Sequence, residues 1–161
     1  MNKILILKQI LAALRHDLSA LQEAVKVAHE SATHGESVAE NKYDTRGLEA
    51  AYLAHGQAKR AGEIEASLRA YEAIPPQTLE HQCSEVEFSS LVQLKDQNDL
   101  DRWVWMGAEA GGLKFLFDNR ENSIVTPKSP LGTALMGRQL GDVFELRVGE
   151  NLMEYEITAL Y

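Results

Sequence analysis

Three acidic side chains flank a predicted turn in the first half of the chain: Glu36, Glu40 and Asp44. Carboxylate oxygens suit Mg²⁺, which accepts one or two of them and keeps several waters. If Glu36 lies in the turn and Glu40 in the first turn of the following helix, both carboxylates can reach one ion. Glu40 also follows Ser37 by three residues, as in a capping box, and that structural role explains it equally well. The acidic residues alone leave both interpretations open.

The sequence gives little support for other kinds of catalytic or ligand-binding site. Cys83 is the single cysteine, so it cannot form an internal disulfide, and together with His81 it supplies too few ligands for zinc. We recognise no nucleophile–base pair, phosphate-binding loop or cofactor motif, which argues against an independent enzyme and predicts no intrinsic cofactor or metal. Sparse cysteine fits a reducing cytoplasm.

The charge distribution bears on the kind of partner. The chain has 161 residues and a formal net charge of -8, and residues 75–161 carry 7 basic and 14 acidic side chains. Such a surface repels phosphate backbones, so free DNA or RNA is not expected as the main ligand. A protein surface or a cation is favoured. No apolar stretch is long enough for a bilayer, so no membrane partner is expected.

The first half of the chain has the pattern of two long helices. Apolar residues recur there in alternating steps of three and four, which is the heptad seam of a coiled coil. Gly35 predicts the end of the first helix, and Pro75-Pro76 predicts the end of the second. We therefore predict an antiparallel coiled-coil hairpin over residues 1–75, with its tip near 34–44. The first seam comprises Ile4, Leu7, Leu11, Leu14, Leu18, Leu21, Val25, Ala28 and Ala32.

Residues 76–161 have the pattern of a second, β-rich domain. Short β-branched and aromatic runs separated by turn residues predict an antiparallel sheet. Ser129 can cap a short helix with Pro130 at its first position, and this helix would cover one face of the sheet. The predicted fold class is thus α+β. The predicted strands are 86–88, 91–94, 103–105, 113–117, 123–125, 143–148 and 155–157.

Specific motifs resemble a known family. Thr126–Gly137, which contains Ser-Pro-Leu-Gly, then Gly141-Asp142-Val143 and Tyr155-Glu156-Ile157, resemble the C-terminal domain of the bacterial Gre transcript-cleavage factors, GreA and GreB. The first half of the chain is more loosely similar to the Gre coiled coil. The similar stretches, at 34–36, 40–41 and 64–68, come in the same order as in that family. The resemblance therefore extends over nearly the whole chain.

The resemblance implies a function in transcription elongation. In Gre factors an FKBP-like C-terminal domain docks on RNA polymerase at the secondary channel, and the coiled coil enters the channel. Acidic residues at its tip help to hold a second Mg²⁺ at the polymerase active site, where the metal activates water for cleavage of backtracked RNA. The polymerase performs the chemistry, so the factor itself is not an enzyme. A cytoplasmic monomer is implied.

The same resemblance implies roles for individual residues. Glu36, Glu40 and Asp44 would assist the metal. Lys42 and Arg46 would contact nascent RNA or the polymerase near the tip. The docking residues would be Ser129, Pro130, Leu131, Ala134 and Leu135, although the spacing of the last three equally fits a helix that merely faces the core.

Three alternatives remain open. Glu36 and Glu40 are four residues apart, whereas the Gre acids are three apart, so a non-cleaving regulator that occupies the channel is the first alternative. An FKBP-like fold also admits a peptidyl-prolyl isomerase or chaperone. Finally, the leucine seam could pair between chains and form an oligomeric scaffold.

Overall fold

A computed structural model describes residues 2–33, 46–80 and 83–161, with side chains over 2–27, 52–80 and 83–161. In these residues two long helices and a single turn of helix precede a six-stranded sheet that carries one more short helix, which confirms the predicted α+β class. None of the described helices is long and apolar enough to cross a bilayer. The helices are α1 (Lys3–Thr33), α2 (Arg46–Glu72), α3 (Pro76–Leu79) and α4 (Pro130–Leu135), and the strands are β1 (Leu91–Asp96), β2 (Asp101–Met106), β3 (Lys114–Phe117), β4 (Arg120–Val125), β5 (Val143–Val148) and β6 (Asn151–Leu160).

The chain forms two compact units, one of which is built from two separate stretches of the sequence. The sheet unit combines Met1–Ala13 with Ala70–Tyr161, and the helical unit is Leu14–Arg69. The start of α1 is held in the sheet unit by the buried Lys3, whose ammonium group lies 3.3 Å from the Cys83 sulfur. The predicted boundary between residues 75 and 76 stays a prediction.

Both predicted long helices form, but the predicted seam describes α1 incompletely. Ile6 and Ile10 lie outside the seam and are fully buried, whereas the seam residue Val25 is exposed. The heptad rule assumes that a helix buries one stripe against another helix. The first turns of α1 belong to the sheet unit, so this rule does not select their buried face. The antiparallel coiled-coil packing stays a prediction.

The sheet has the strand order β3-β4-β2-β1-β6-β5. The prediction of a purely antiparallel sheet was wrong at one pair, since β2 and β4 run parallel. The cause is the position of β4, which returns from the edge strand β3 and lies between β3 and β2. Asp118 and Asn119, both with positive φ, make the tight turn that reverses the chain there.

The predicted strand 86–88 was also wrong. Residues Glu85 and Gln139 form only an isolated bridge, and Ser89 at φ 66 ends the extended segment. Between α2 and this segment, Pro76 begins the single turn of α3, which the sequence did not predict as a helix. Proline suits the first helical position because the missing N–H has no partner there.

One face of the sheet carries the main core of the sheet unit, and α4 covers it. Alternate residues along each strand point to this face, as the period of two requires. The buried cluster comprises Val86, Val92, Leu94, Val104, Met106, Val125, Leu131, Leu135, Phe144, Tyr155 and Ile157.

The opposite face contains Trp103 and Trp105, which are both buried. Near Trp105, the Tyr71 hydroxyl donates a hydrogen bond of 2.9 Å to the Glu109 carbonyl oxygen. Burial, and secondarily the Glu109 carboxylate, raises the pKa of Tyr71 above its usual value, so the hydroxyl remains a donor. Gly107 allows this arrangement, because a Cβ there would collide with the Tyr71 hydroxyl oxygen and lie 2.8 Å from Ile124 Cγ2.

We expect Gly107→Ala to destabilise the protein by about 2 kcal/mol, since the added methyl group overpacks this contact. Tyr71→Phe in the same chain should recover part of the loss by removing the hydroxyl. Gly62→Ala is the matched control, because nothing lies within 4 Å of its Cβ position and alanine favours a helix interior. Chemical denaturation measures all four proteins, and equal stability of the two alanine variants would contradict the prediction.

Candidate functional site

The predicted tip residues Glu36, Glu40, Lys42 and Asp44 lie outside the described residues. Arg46 is the first residue of α2, and its side chain is also outside the described set. In the part of the chain whose side chains are described, no group of three His, Cys, Asp or Glu residues could hold a metal ion. The metal-assisting and RNA-contacting roles therefore stay predictions.

The predicted docking segment is described in full and is tightly built. The Ser129 side chain caps α4: its hydroxyl oxygen accepts the Gly132 N–H at 3.1 Å and donates to the Thr126 carbonyl oxygen at 2.7 Å. The Thr133 hydroxyl donates to the Pro127 carbonyl oxygen at 2.7 Å. These bonds satisfy polar groups at both the incoming loop and the first turn of the helix.

Gly132 is required at its position for a steric reason. A Cβ on this residue would collide with the carbonyl group of Thr126 and lie 3.1 Å from the Ser129 Oγ. Because a backbone carbonyl cannot move aside as a long side chain can, the loop and helix approach this closely only around glycine. The Ser-Pro-Leu-Gly motif is thus explained by local geometry: a cap, a first helical residue, a core residue and a close approach.

The five predicted docking residues divide by burial. Leu131 and Leu135 belong to the core cluster, with exposed fractions of 7% and 0%. Ser129 and Ala134 are half-buried, and Pro130 is exposed. The leucines therefore hold α4 on the sheet, which confirms the core-facing alternative for them, and the exposed surface of the segment comes from Pro130 and its neighbours.

The end of α4 contains a residue that the sequence reasoning missed. Arg138 donates from Nε to the Ala134 carbonyl oxygen at 2.6 Å, and its guanidinium carbon lies 4.8 Å from the Phe144 ring centroid. It therefore satisfies a helix carbonyl and joins α4 to β5 through a cation–π contact. Its place directly after Gly137, at φ +75, was the available signal for a helix-terminal cation.

Two concave features bear on the isomerase alternative. An open cleft of about 560 Å³ is lined by the charged side chains of Arg102, Lys114 and Glu121 among others. A smaller cavity of about 110 Å³ lies beside Tyr71 and Trp105. A proline peptide needs a pocket that is mostly apolar and of roughly 300 Å³ or more. The first cleft is too charged and the second too small, so neither supports an isomerase.

Comparison with known families identifies the C-terminal part of the chain. Residues 117–161 match the family described as "Transcription elongation factor, GreA/GreB, C-term". These residues are similar to the C-terminal domain of the GreA/GreB family. The matched region runs from the last residue of β3 to the end of the chain, so it contains α4 and its capping residues. The Gre resemblance of the motifs around Ser129 is thereby confirmed.

Solved structures of Gre-related proteins are similar over most of the chain. GreA factor homolog 1 (Gfh1) of Thermus thermophilus is 21% identical over 94% of both chains, with a TM-score of 0.39. Gfh1 of Thermus aquaticus is 22% identical over 92% of this chain and 91% of its own, also with a TM-score of 0.39. A GreA/GreB elongation factor from Nitrosomonas europaea is 18% identical over 74% of this chain and 94% of its own, with a TM-score of 0.37. A comparison with curated proteins finds no match.

We expect Ser129→Ala to lower the free energy of unfolding of the sheet unit by about 1 kcal/mol, because the helix loses its cap. Ser129→Asp should retain most of the stability, since its carboxylate can accept the Gly132 N–H. Urea denaturation of the full chain measures both changes. If the alanine and aspartate variants lose the same stability, the cap does not contribute as the geometry indicates.

Proposed function

We propose that this protein is a cytoplasmic regulator of transcription elongation that binds RNA polymerase through its sheet unit and acts at the active centre through the predicted tip, residues 34–44. The observation that supports it most is the GreA/GreB match over residues 117–161. That match includes a motif for which the structure gives a specific local geometry around Ser129 and Gly132. One copy binds one polymerase.

The lengths of the helices suit a predicted hairpin whose joining segment acts on the polymerase. α1 has 31 residues and α2 has 27, which correspond to about 46 Å and 40 Å at 1.5 Å per residue. The acidic residues Glu36, Glu40 and Asp44 fall in the segment that joins these helices. In this proposal the sheet unit provides affinity and the joining segment provides the effect on the polymerase.

The chemical role proposed for the tip is to supply oxygen ligands. Glu36 and Glu40, with Asp44 nearby, help to hold a second Mg²⁺ that is shared with the polymerase active site, and the ion activates water for phosphodiester cleavage. Lys42 and Arg46 contact nascent RNA or the polymerase interior. The factor provides no catalytic group of its own, so the polymerase carries out the cleavage.

A non-cleaving regulator is the second candidate, and the spacing of the acids favours it. Glu36 and Glu40 are four residues apart, one more than in the Gre pattern. A carboxylate displaced by one residue need not reach the same ion, and a tip that holds no metal still occupies the channel. Binding would then inhibit the polymerase without shortening its RNA.

A cleavage assay separates the two candidates. In stalled, backtracked elongation complexes with Mg²⁺, the wild type should shorten the RNA. Glu36→Ala/Glu40→Ala should still bind but lose about 100-fold of this activity, since changing even the residues that support metal ligands costs up to about that much. Glu23→Ala/Glu65→Ala is the control, since it removes the same charge from exposed positions on α1 and α2. Binding of the wild type without RNA shortening would reject cleavage and favour the non-cleaving regulator.

A second experiment tests docking through the exposed part of the α4 segment. Pro130→Ala should weaken binding to RNA polymerase by about tenfold if Pro130 is a contact residue, as loss of a well-packed interface side chain commonly does. Pro76→Ala is a matched control because both prolines are exposed and begin a short helix. Fluorescence anisotropy with labelled protein measures the affinities. Equal binding by the two variants would contradict a docking role for Pro130.

A further inference from the structure

The outer edge of β5 is available for strand pairing. β5 is the last strand in the sheet order and pairs with β6 on one side. Among the described residues, no backbone hydrogen bond joins Val143–Val148 to any segment other than β6. A free edge of this kind presents unpaired N–H and C=O groups that can accept another strand.

The alternation of hydrogen bonds along β5 shows which residues present these unpaired backbone groups. A two-residue turn, Gly149-Glu150, joins β5 to β6 and closes on the pair Val148 and Asn151. In such a hairpin the closing pair is hydrogen-bonded, and alternate residues then face the partner strand. Asp142, an even-numbered residue just before β5, indeed accepts a bond from the Ile157 N–H. The odd-numbered residues Val143, Glu145 and Arg147 therefore direct their backbone groups outward.

This edge has only part of the usual protection against pairing. Proteins commonly block edge strands with charged side chains, especially lysine, with proline, with a bulge or by very short length. β5 is six residues long, Val-Phe-Glu-Leu-Arg-Val, and contains neither proline nor lysine. Its two charged side chains, Glu145 and Arg147, have opposite signs. Val143 and Val148 at its ends are 53% and 50% exposed. The opposite edge strand, β3, is only four residues long and begins with Lys114.

The side chains of β5 are complementary to a second copy of the same strand. When two copies run antiparallel about Leu146, Glu145 of one faces Arg147 of the other, and this occurs twice. Leu146 then faces Leu146, and Phe144 faces Val148. Charged residues meet opposite charges on one face and apolar residues meet apolar residues on the other, which are the favourable cross-strand combinations.

The alternation of backbone hydrogen bonds along β5 supports the same register, independently of the side chains. Leu146 directs its backbone groups toward β6, so the central pair of the two-fold arrangement is a non-hydrogen-bonded pair. Glu145 and Arg147 direct theirs outward, so each Glu145–Arg147 pair is a hydrogen-bonded pair. Backbone bonds and ion pairs therefore form at the same two positions.

We propose that the outer edge of β5 is a self-association surface, on which a second copy of this chain pairs antiparallel about Leu146 and joins the two sheets. The pairing also explains an unfavourable feature of the single chain. Glu145 lies directly opposite Glu154 on β6, and like charges in that position destabilise a sheet. The partner copy brings a cation beside Glu145. This inference does not depend on the proposed function in transcription.

Charge reversal in the full-length protein tests the surface. Sedimentation velocity from micromolar to near-millimolar concentration should show a reversible monomer–dimer equilibrium. Glu145→Arg or Arg147→Glu alone places like charges opposite each other twice, and each should weaken the dimer by about tenfold or more. The double variant Glu145→Arg/Arg147→Glu restores opposite charges and should restore dimerisation. Glu87→Arg, at an exposed site outside the strands of the sheet, controls for the change in net charge.

Circular dichroism should show that all variants keep the wild-type fold. The double variant is a second control for folding, because it carries both substitutions and could not dimerise if either one prevented folding. A monomer throughout the concentration range would overturn the proposal. A dimer whose affinity is unchanged by charge reversal would place the interface elsewhere, for example on the helices, and would also overturn the proposal. A continuing series of larger species would indicate β5 pairing with β3 and contradict the two-fold arrangement.

Discussion

The sheet unit depends on the double pairing of β6. This strand is ten residues long and is hydrogen-bonded to β1 on one side and to β5 on the other. Mutual backbone bonds of 2.9 and 3.0 Å between Leu91 and Tyr161 anchor its end. Tyr155 and Ile157 then enter the core beneath α4. Without β6, the core would lose one wall and β5 would have no strand to pair with.

The geometry of the predicted docking segment depends on that core. Leu131 and Leu135 are buried because α4 covers the face that β6, β1 and β2 provide. The position of α4 along this face is fixed by polar contacts at its two ends, the Ser129 cap and the Arg138 bond to the Ala134 carbonyl. Apolar burial supplies stability without direction, whereas hydrogen bonds require particular positions. Together they present Pro130 on a rigid support.

Local patterns predicted the parts of the fold that depend on local physics. Ser129 and Pro130 predicted the start of α4 correctly because capping and proline geometry act within one turn. Most strands followed from short β-branched runs. The parallel β2–β4 pair could not be predicted in this way, since it depends on where β3 and β4 lie in the sheet. Ile6 and Ile10 were missed because their burial reflects contacts far away in sequence. In the candidate site, the Ser129 cap could be predicted from the sequence. The division between buried leucines and the exposed Pro130 could not, because it depends on how α4 lies on the sheet. The helix-terminal position of Arg138 had a local signal in Gly137, but its contact with the Phe144 ring could not be predicted because Phe144 lies on another element.

The discontinuous sheet unit has a consequence for how this protein can diversify. Because residues 14–69 interrupt that unit, the helical unit is in effect an insertion between α1's first turns and the last turn of α2. The entropy of closing a loop rises only slowly with its length. Residues can therefore be added to or removed from both helices at little cost to the sheet unit, and the predicted coiled coil would require that they come in whole heptads. The lengths of the helices and the surface of the sheet can thus evolve separately.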